Sequence, residues 1–241
     1  MESQILYRGL APYYDLIYSQ KDYVKEATIL KEIIERHKAS SGIDLLDVGC
    51  GTGHHLKHLG DDFACTGLDI NGEMLEIASK NIEGAEFIEA DMTTMSIGRR
   101  FDVITCLFSS IGYAKTYQNL GKTLRNFANH LKPGGLLLIE PWFTEDVYSV
   151  GAPFMTTYED DDIKIARLNV SMKEGNVSVM EMHYLIAERD VGVRHYVGRH
   201  ELGLFDTDRT LELMREAGFR ASYTTEGTPS SRGLYIGIRG E

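Results

Sequence analysis

Three glycines at alternate positions, Gly49, Gly51 and Gly53, follow Asp47 at the end of the apolar run that starts at Leu45. Glycines so placed let the backbone adopt angles other residues avoid, and let a ligand approach it closely. A helical pattern follows from His54 to Leu59, so the segment reads as a buried strand turning into a helix. Such a helix start offers unpaired N–H groups and partial positive charge to an anionic ligand. Sixteen residues beyond Gly53, a second apolar segment from Ala64 to Leu68 ends in Asp69. An acid at the tip of a neighbouring strand can accept from both hydroxyls of a ribose. A dinucleotide fingerprint, G-x-G-x-x-G, needs glycine at position 54, where this chain has His54.

The G-x-G-x-G spacing with Asp69 resembles motif I of class I S-adenosylmethionine (SAM) methyltransferases. A glycine-rich turn without a ligand, or a nicotinamide or flavin site, are the readings it competes with. The resemblance implies SAM as cofactor, with Asp69 and the adjacent Ile70 at its ribose. It also implies Asp91 and Met92 at the adenine, since both follow the third strand, and Leu107 at the end of the fourth. Asp47 orients the glycine loop or approaches the methionine amine. The glycines Gly49, Gly51 and Gly53 carry the backbone of the cofactor site.

The elements that position these residues alternate. A helix is expected from Asp22 to His37, and strands at Leu45, Ala64–Asp69, Ala85–Glu89, Phe101–Phe108 and Leu136–Glu140. Helices follow at Asn71, capped by that asparagine, and through Leu120, Leu124, Phe127 and Leu131, where Lys132-Pro133-Gly134-Gly135 stops the chain. Strand–helix alternation is the signature of a parallel sheet with helices on both faces. The rhythm changes after Trp142. Strand-like segments from Ile163 to Met172 and Val177 to Ala187 flank a turn at residues 173–176. A helix returns from Thr207 to Ala217, and strands are expected at Phe219–Thr225 and Leu234–Ile238. The fold class is therefore α/β: a doubly wound, mainly parallel seven-stranded sheet, Rossmann-like as in class I methyltransferases, with an inserted small antiparallel β-sheet. Three units follow: a cofactor-binding core with an N-terminal arm over residues 1–142, an inserted substrate-side unit over 143–205, and a return to the core over 206–241.

Composition narrows the partners. The chain has 241 residues, 43% of them hydrophobic, with a net charge of −11 from 25 basic and 36 acidic residues. No basic cluster stands out, which argues against nucleic acid or an anionic membrane. Cys50, Cys65 and Cys106 lie in strands without C-x-x-C spacing and read as buried thiols of a cytoplasmic protein. The opening residues lack the apolar run of a signal peptide. His54, His55 and His58 lack a further ligand at metal-binding spacing, so no metal is expected, and Asp160-Asp161-Asp162 reads as a solvated turn. Oligomeric state is open, a homodimer included.

A narrower resemblance covers nearly the whole chain, from Tyr7 to about Ile238. It rests on Tyr14-Asp15-Leu16, Lys21-Asp22-Tyr23, Phe108-Ser109-Ser110-Ile111-Gly112-Tyr113, Glu140-Pro141-Trp142, Glu181-Met182-His183-Tyr184 and Pro229-Ser230-Ser231-Arg232-Gly233-Leu234, in that order. As a set they resemble the N,N-dimethyltransferases of nucleotide-linked (dTDP) 3-amino deoxysugars. The resemblance implies that Tyr14 and Tyr23 enclose the methionine end of SAM and that Tyr7 closes over the reacting centre. It implies that Arg232, beside Ser231, holds the nucleotide diphosphate, which suits a guanidinium fork in an acidic protein. Arg167 and Arg199 are weaker candidates for that phosphate contact, and Ser109 and Trp142 belong to the acceptor side. His183 reads equally as a packed residue or a substrate contact. Tyr113 stands where some relatives carry histidine, Phe143 where they carry a second tryptophan, and Ser231 where they carry glycine. The implied reaction is in-line methyl transfer to an amine, with Tyr7 and Tyr113 positioning the nitrogen.

Overall fold

A computed structural model describes residues 10–240. Its centre is β1 (Asp44–Val48), which pairs in parallel with β2 (Ala64–Asp69) on one side and β4 (Phe101–Cys106) on the other. β3 (Glu86–Glu89) and β5 (Leu131–Ile139) extend the sheet outward in parallel. β11 (Leu234–Arg239) runs antiparallel between β5 and β10 (Phe219–Thr224), giving the seven-strand order β10-β11-β5-β4-β1-β2-β3. This is the expected α/β sheet, mainly parallel, with β11 antiparallel to its neighbours.

Leu45 and Leu46, adjacent on β1, are both fully buried because successive side chains leave a strand on opposite faces. Leu46 joins Ile104, Leu124 and Phe127 under α5 (Tyr117–Asn129), with Met214 of α6 (Thr207–Glu216). Leu45 joins Leu30, Ile34, Leu56 and Leu59 under α2 (Tyr23–His37) and α3 (His54–Leu59). α4 (Gly72–Asn81) starts as expected at Asn71, whose side chain accepts from the Met74 N–H at 3.2 Å. The chain also holds α1 (Ala11–Ile17), which the aromatic-rich arm did not announce and which carries a proline in its first turn.

Two expected boundaries moved. The helix expected to run through Leu131 ends earlier, at Asn129 with His130 as its cap, and Leu131-Lys132-Pro133-Gly134-Gly135 is the irregular first part of β5. There Leu131 pairs with Phe101, and the register shifts before Val103 meets Leu136. The end of the expected fourth strand, by contrast, leaves the sheet after Cys106 and enters a 3-10 helix, Ser110–Ala114.

β6 (Pro153–Glu159), β7 (Ile163–Glu174), β8 (Val177–Glu188) and β9 (Gly192–Gly203) form a separate antiparallel sheet in that order. β7 and β8 meet closer than the sequence suggests, leaving Gly175, at φ +61°, and Asn176 as a two-residue turn. The inner face of this sheet buries Ile165, Tyr184 and Ile186 against Leu10 and α1. Among the described residues, no helix is long and apolar enough to cross a membrane.

Candidate active site

The glycine loop hangs from β2 by its backbone: the Gly49 and Cys50 N–H groups both donate to the Leu68 carbonyl, at 2.7 and 3.1 Å. Gly49, Gly51 and Gly53 all have positive φ, so the alternate glycines answer a backbone demand. Asp69 closes the loop from the next strand. One of its oxygens accepts from the Gly51 N–H and the other from the Asn71 N–H, each at 2.9 Å. Burial pushes the Asp69 carboxyl up, and these backbone donors oppose it.

Beyond the loop lies a cavity of about 450 Å³ at the carboxyl ends of β1 to β4. Gly49, Gly51, Asp69, Ile70, Asp91 and Met92 line one side. Asp91 is held by Thr93, whose N–H and hydroxyl both donate to the same carboxylate oxygen at 2.7 Å. A Cβ built on Gly51 would meet nothing within 4 Å, so its cradle opens into the cavity. A Cβ on Gly49 would instead stand 2.7 Å from Ser110. A bare glycine loop after β1, with an acid at the end of each of the next two strands, β2 and β3, fits an adenosyl group such as that of SAM.

The lining also takes Ser109 and Tyr113 from the 3-10 helix and its cap, Trp142 from the segment after β5, and Met180, Met182 and His200 from the second sheet. Phe108 and Ser109 turn the chain with φ of 50° and 65°, a conformation non-glycine residues adopt at a cost. Two bonds hold them there: the Phe108 N–H donates to Glu140 at 2.9 Å and the Ser109 hydroxyl to the Pro141 carbonyl at 2.7 Å. Trp142 is fixed by its indole N–H, which donates to the Ser178 hydroxyl at 2.9 Å. Tyr14 also lines the cavity, its ring 4.7 Å from that of Tyr18.

Several residues singled out in the sequence stand elsewhere. Tyr7 lies outside the described residues. Asp47 is beneath the loop, buried, and accepts from the Thr105 hydroxyl at 2.7 Å; burial drives its carboxyl up to about 6. Gly53 begins α3 and does not line the cavity. Leu107 is buried in the core with Leu56 and Val103 and does not line the cavity. Tyr23 stacks on His54 at 4.5 Å, away from the cavity lining, and burial pushes its hydroxyl up. Arg167 is buried and donates to the Tyr18 hydroxyl at 2.7 Å. Arg199 pairs with Glu174 and Glu201. Ser231 is exposed, and Arg232 pairs with the buried Glu140 while its guanidinium lies 5.9 Å from the Trp142 ring. His183 points to the outer face of the second sheet, where it stacks on His195, because the cavity takes its neighbour Met182.

The sequence reading missed His200, Lys115, Asn119, Met180 and Leu202, all of which line the cavity. Lys115 carries a signal only in three dimensions: its φ is +60° and its ammonium meets Glu201 at 2.7 Å. His200 accepts or donates at 2.9 Å to the Tyr113 hydroxyl, and burial with the nearby Arg167 charge holds its imidazole down to about 4.

Comparison with known proteins agrees with this geometry. A methyltransferase domain model matches residues 45–135. The chain is similar to a dTDP-3-amino-3,4,6-trideoxy-alpha-D-glucopyranose N,N-dimethyltransferase of Streptomyces venezuelae, at 37% identity over 95% of this chain and 97% of the relative. The solved structure of Streptomyces venezuelae DesVI superposes with a TM-score of 0.89 at 36% identity, covering 96% of this chain and 98% of that one. SAM-bound CalS10, an amino pentose methyltransferase from Micromonospora echinaspora, matches with a TM-score of 0.81 at 29% identity over 91% and 92% of the two chains.

Proposed function

We propose a reaction from one premise: this chain belongs to the class I SAM-dependent methyltransferases, with the N,N-dimethyltransferases of dTDP-linked amino sugars as its kin. The acceptor is the amine of a dTDP-linked amino-deoxysugar, methylated twice with exchange of product between rounds. The observation that carries this reading is the shared cavity, in which the glycine loop and Asp69 face Trp142, Met180 and His200 of the second sheet and its approach.

When bound, SAM would supply a sulfonium methyl open to in-line attack by an amine lone pair, the N–C bond forming as the C–S bond breaks, with S-adenosylhomocysteine as the leaving group and the nitrogen's proton going to water. Charge moves from sulfur to nitrogen without being created, so the chain's task is orientation, which can contribute roughly 7–11 kcal/mol. Asp69 holds the ribose diol and Asp91 the adenine amino group. Gly49 and Gly51 let the backbone approach, and Met92 and Ile70 pack beside the nucleoside. Tyr14 closes the methionine end, Tyr23 backs it through α3, and Asp47 stiffens the loop from beneath. Tyr113 and Tyr7 orient the acceptor nitrogen, with Ser109 and Trp142 beside the sugar. One N–H of the Arg232 fork stays on Glu140, and its remaining donors, with Ser231, reach the diphosphate. Residues 1–142 and 206–241 act as the cofactor side and 143–205 as the acceptor side.

Exposed Met155, Val170, Leu185 and Val193 on the outer face of the second sheet support a homodimer. Free thiols at Cys50, Cys65 and Cys106 support a reducing, cytoplasmic location, and the net negative charge speaks against nucleic acid as partner. The decisive experiment is a panel of nucleotide amino sugars incubated with SAM and read by mass for added methyl units. A product two methyls heavier is expected for at least one dTDP amino sugar. Methylation of non-nucleotide amines alone would overturn the acceptor assignment.

A further inference from the structure

The geometry points to His200 as a positioning residue for the acceptor amine, acting through the hydroxyl of Tyr113. This inference rests on the amine-methylation reading above. The two side chains come from separate units, Tyr113 from the 3-10 helix and His200 from β9, and both line the cavity. Their contact is fixed by packing. A Cβ on Gly112 would stand 2.9 Å from the Leu202 side chain, so the missing side chain lets the 3-10 helix sit directly on β9. The Tyr113 oxygen and His200 Nδ1 are then 2.9 Å apart, and His200 is 3% exposed.

The direction of that bond decides what an amine meets. A neutral imidazole has one donor and one acceptor nitrogen. With Nδ1 as acceptor, Tyr113 donates its proton to His200 and presents oxygen lone pairs to the cavity. An acceptor there holds an N–H of the substrate and leaves the nitrogen lone pair aimed at the methyl carbon. The opposite direction would place the Tyr113 proton on the amine and tie up the lone pair that must attack. With its ring proton on Nε2, His200 sets this sense of the hydrogen bond.

It does not take the proton. Burial and the Arg167 charge on β7 hold the imidazole down to about 4, whereas alkyl amines ionise at about 8 or above. The other charges beside this pair are paired off among themselves: Glu201 of β9 meets both Lys115, which caps the 3-10 helix, and Arg199 at 2.7 Å, and Arg199 also meets Glu174 at 2.8 Å.

The test is a double-mutant cycle on the full-length enzyme with SAM and a dTDP amino sugar. Tyr113→Phe and His200→Leu are each expected to lower kcat about 10–100-fold, with SAM affinity unchanged. The double variant should be no slower than the slower single one, since one interaction is lost twice. His200→Asn, whose side-chain oxygen can stand in for Nδ1, should recover most of the rate. The ring nitrogen chemical shifts of His200 in the wild-type protein bound to S-adenosylhomocysteine should show the proton on Nε2. A proton on Nδ1, multiplicative losses in the double variant, or equal loss with Leu and Asn would each overturn the proposal. A wild-type enzyme inert on every dTDP amino sugar would overturn the function instead, and the ring shifts would still report the direction of the bond.

Discussion

Replacing Arg232 with Met should impair the protein in two separable ways. The Glu140 side chain is 1% exposed, and its oxygens have two visible partners, the Phe108 N–H at 2.9 Å and the Arg232 guanidinium. Methionine fills the aliphatic part of the arginine and leaves the carboxylate stranded against the Trp142 wall. Removing one partner of a fully buried pair costs about 3–5 kcal/mol. The arginine is 19% exposed, so some water already reaches the pair and about 2–3 kcal/mol is the reasonable figure here. For a chain of this length each kcal/mol moves Tm by about 2–4 °C, so a drop of roughly 4–12 °C is expected in a thermal melt. Adding Glu140→Gln removes the stranded charge while keeping an acceptor for the Phe108 N–H, and should restore most of that loss. The second effect is on the acceptor. Losing the proposed charged hydrogen bond from Arg232 to a diphosphate should remove about 1.5–3 kcal/mol, a rise in KM of roughly 10–150-fold. Glu140→Gln should not restore it. A Tm within about 1 °C of wild type would refute the argument from the buried carboxylate. Recovery of KM together with Tm in the double variant would remove Arg232 from the diphosphate.

Gly51→Ala should raise the SAM dissociation constant more than 10-fold in calorimetry while lowering stability by only about 1–2 kcal/mol, because its Cβ enters the cavity at a strained φ of +56°. Gly84→Ala is the control: its φ is +79°, nothing stands within 4 Å of its Cβ, and it does not line the cavity, so SAM binding should be unchanged. Asp69→Asn sets an amide N–H₂ against one of the Gly51 and Asn71 N–H donors, a mismatch of about 1–3 kcal/mol, and should weaken SAM by at least about 10-fold in the same titration. Asp47 predicts a pH dependence. Its carboxyl titrates near 6 when folded against 3.8 ordinarily, so the folded state holds the extra proton between those values and its destabilising contribution grows as pH rises through that window. Asp47→Asn should therefore gain stability relative to wild type between about pH 4 and pH 6.5, measured by denaturant unfolding at each pH. A constant difference across that range would refute the burial argument.

Much of the cofactor half was legible because its signals are local. A turn needing positive φ three times within five residues is written as Gly49, Gly51 and Gly53, and strands buried on both faces are written as runs such as the one through Leu45 and Leu46. The acid at the end of β2 followed from the same periodicity, and Asp69 is indeed bonded to the glycine loop. Boundaries were less legible where the backbone deviates for tertiary reasons, as in the irregular start of β5 and the 3-10 helix that interrupts an apolar run.

The side of the cavity built from the 3-10 helix and the second sheet depended on contacts between residues far apart in the chain. Tyr113 meets His200 across 87 positions and Glu140 meets Arg232 across 92, and no local period or spacing encodes either pair. His183 and His200 sit on adjacent strands of one sheet, with nothing in composition to tell which faces the cavity. The alternation of side chains across β8 and β9, set by their register against the core, turned one outward and the other in. The order of residues by itself determined the fold, the glycine loop and the acid that closes it, because each depends on conformations available to a few neighbouring residues. Only the tertiary structure decided which arginine is tied to a buried carboxylate and which imidazole reaches the cavity, because burial and long-range register belong to no short segment.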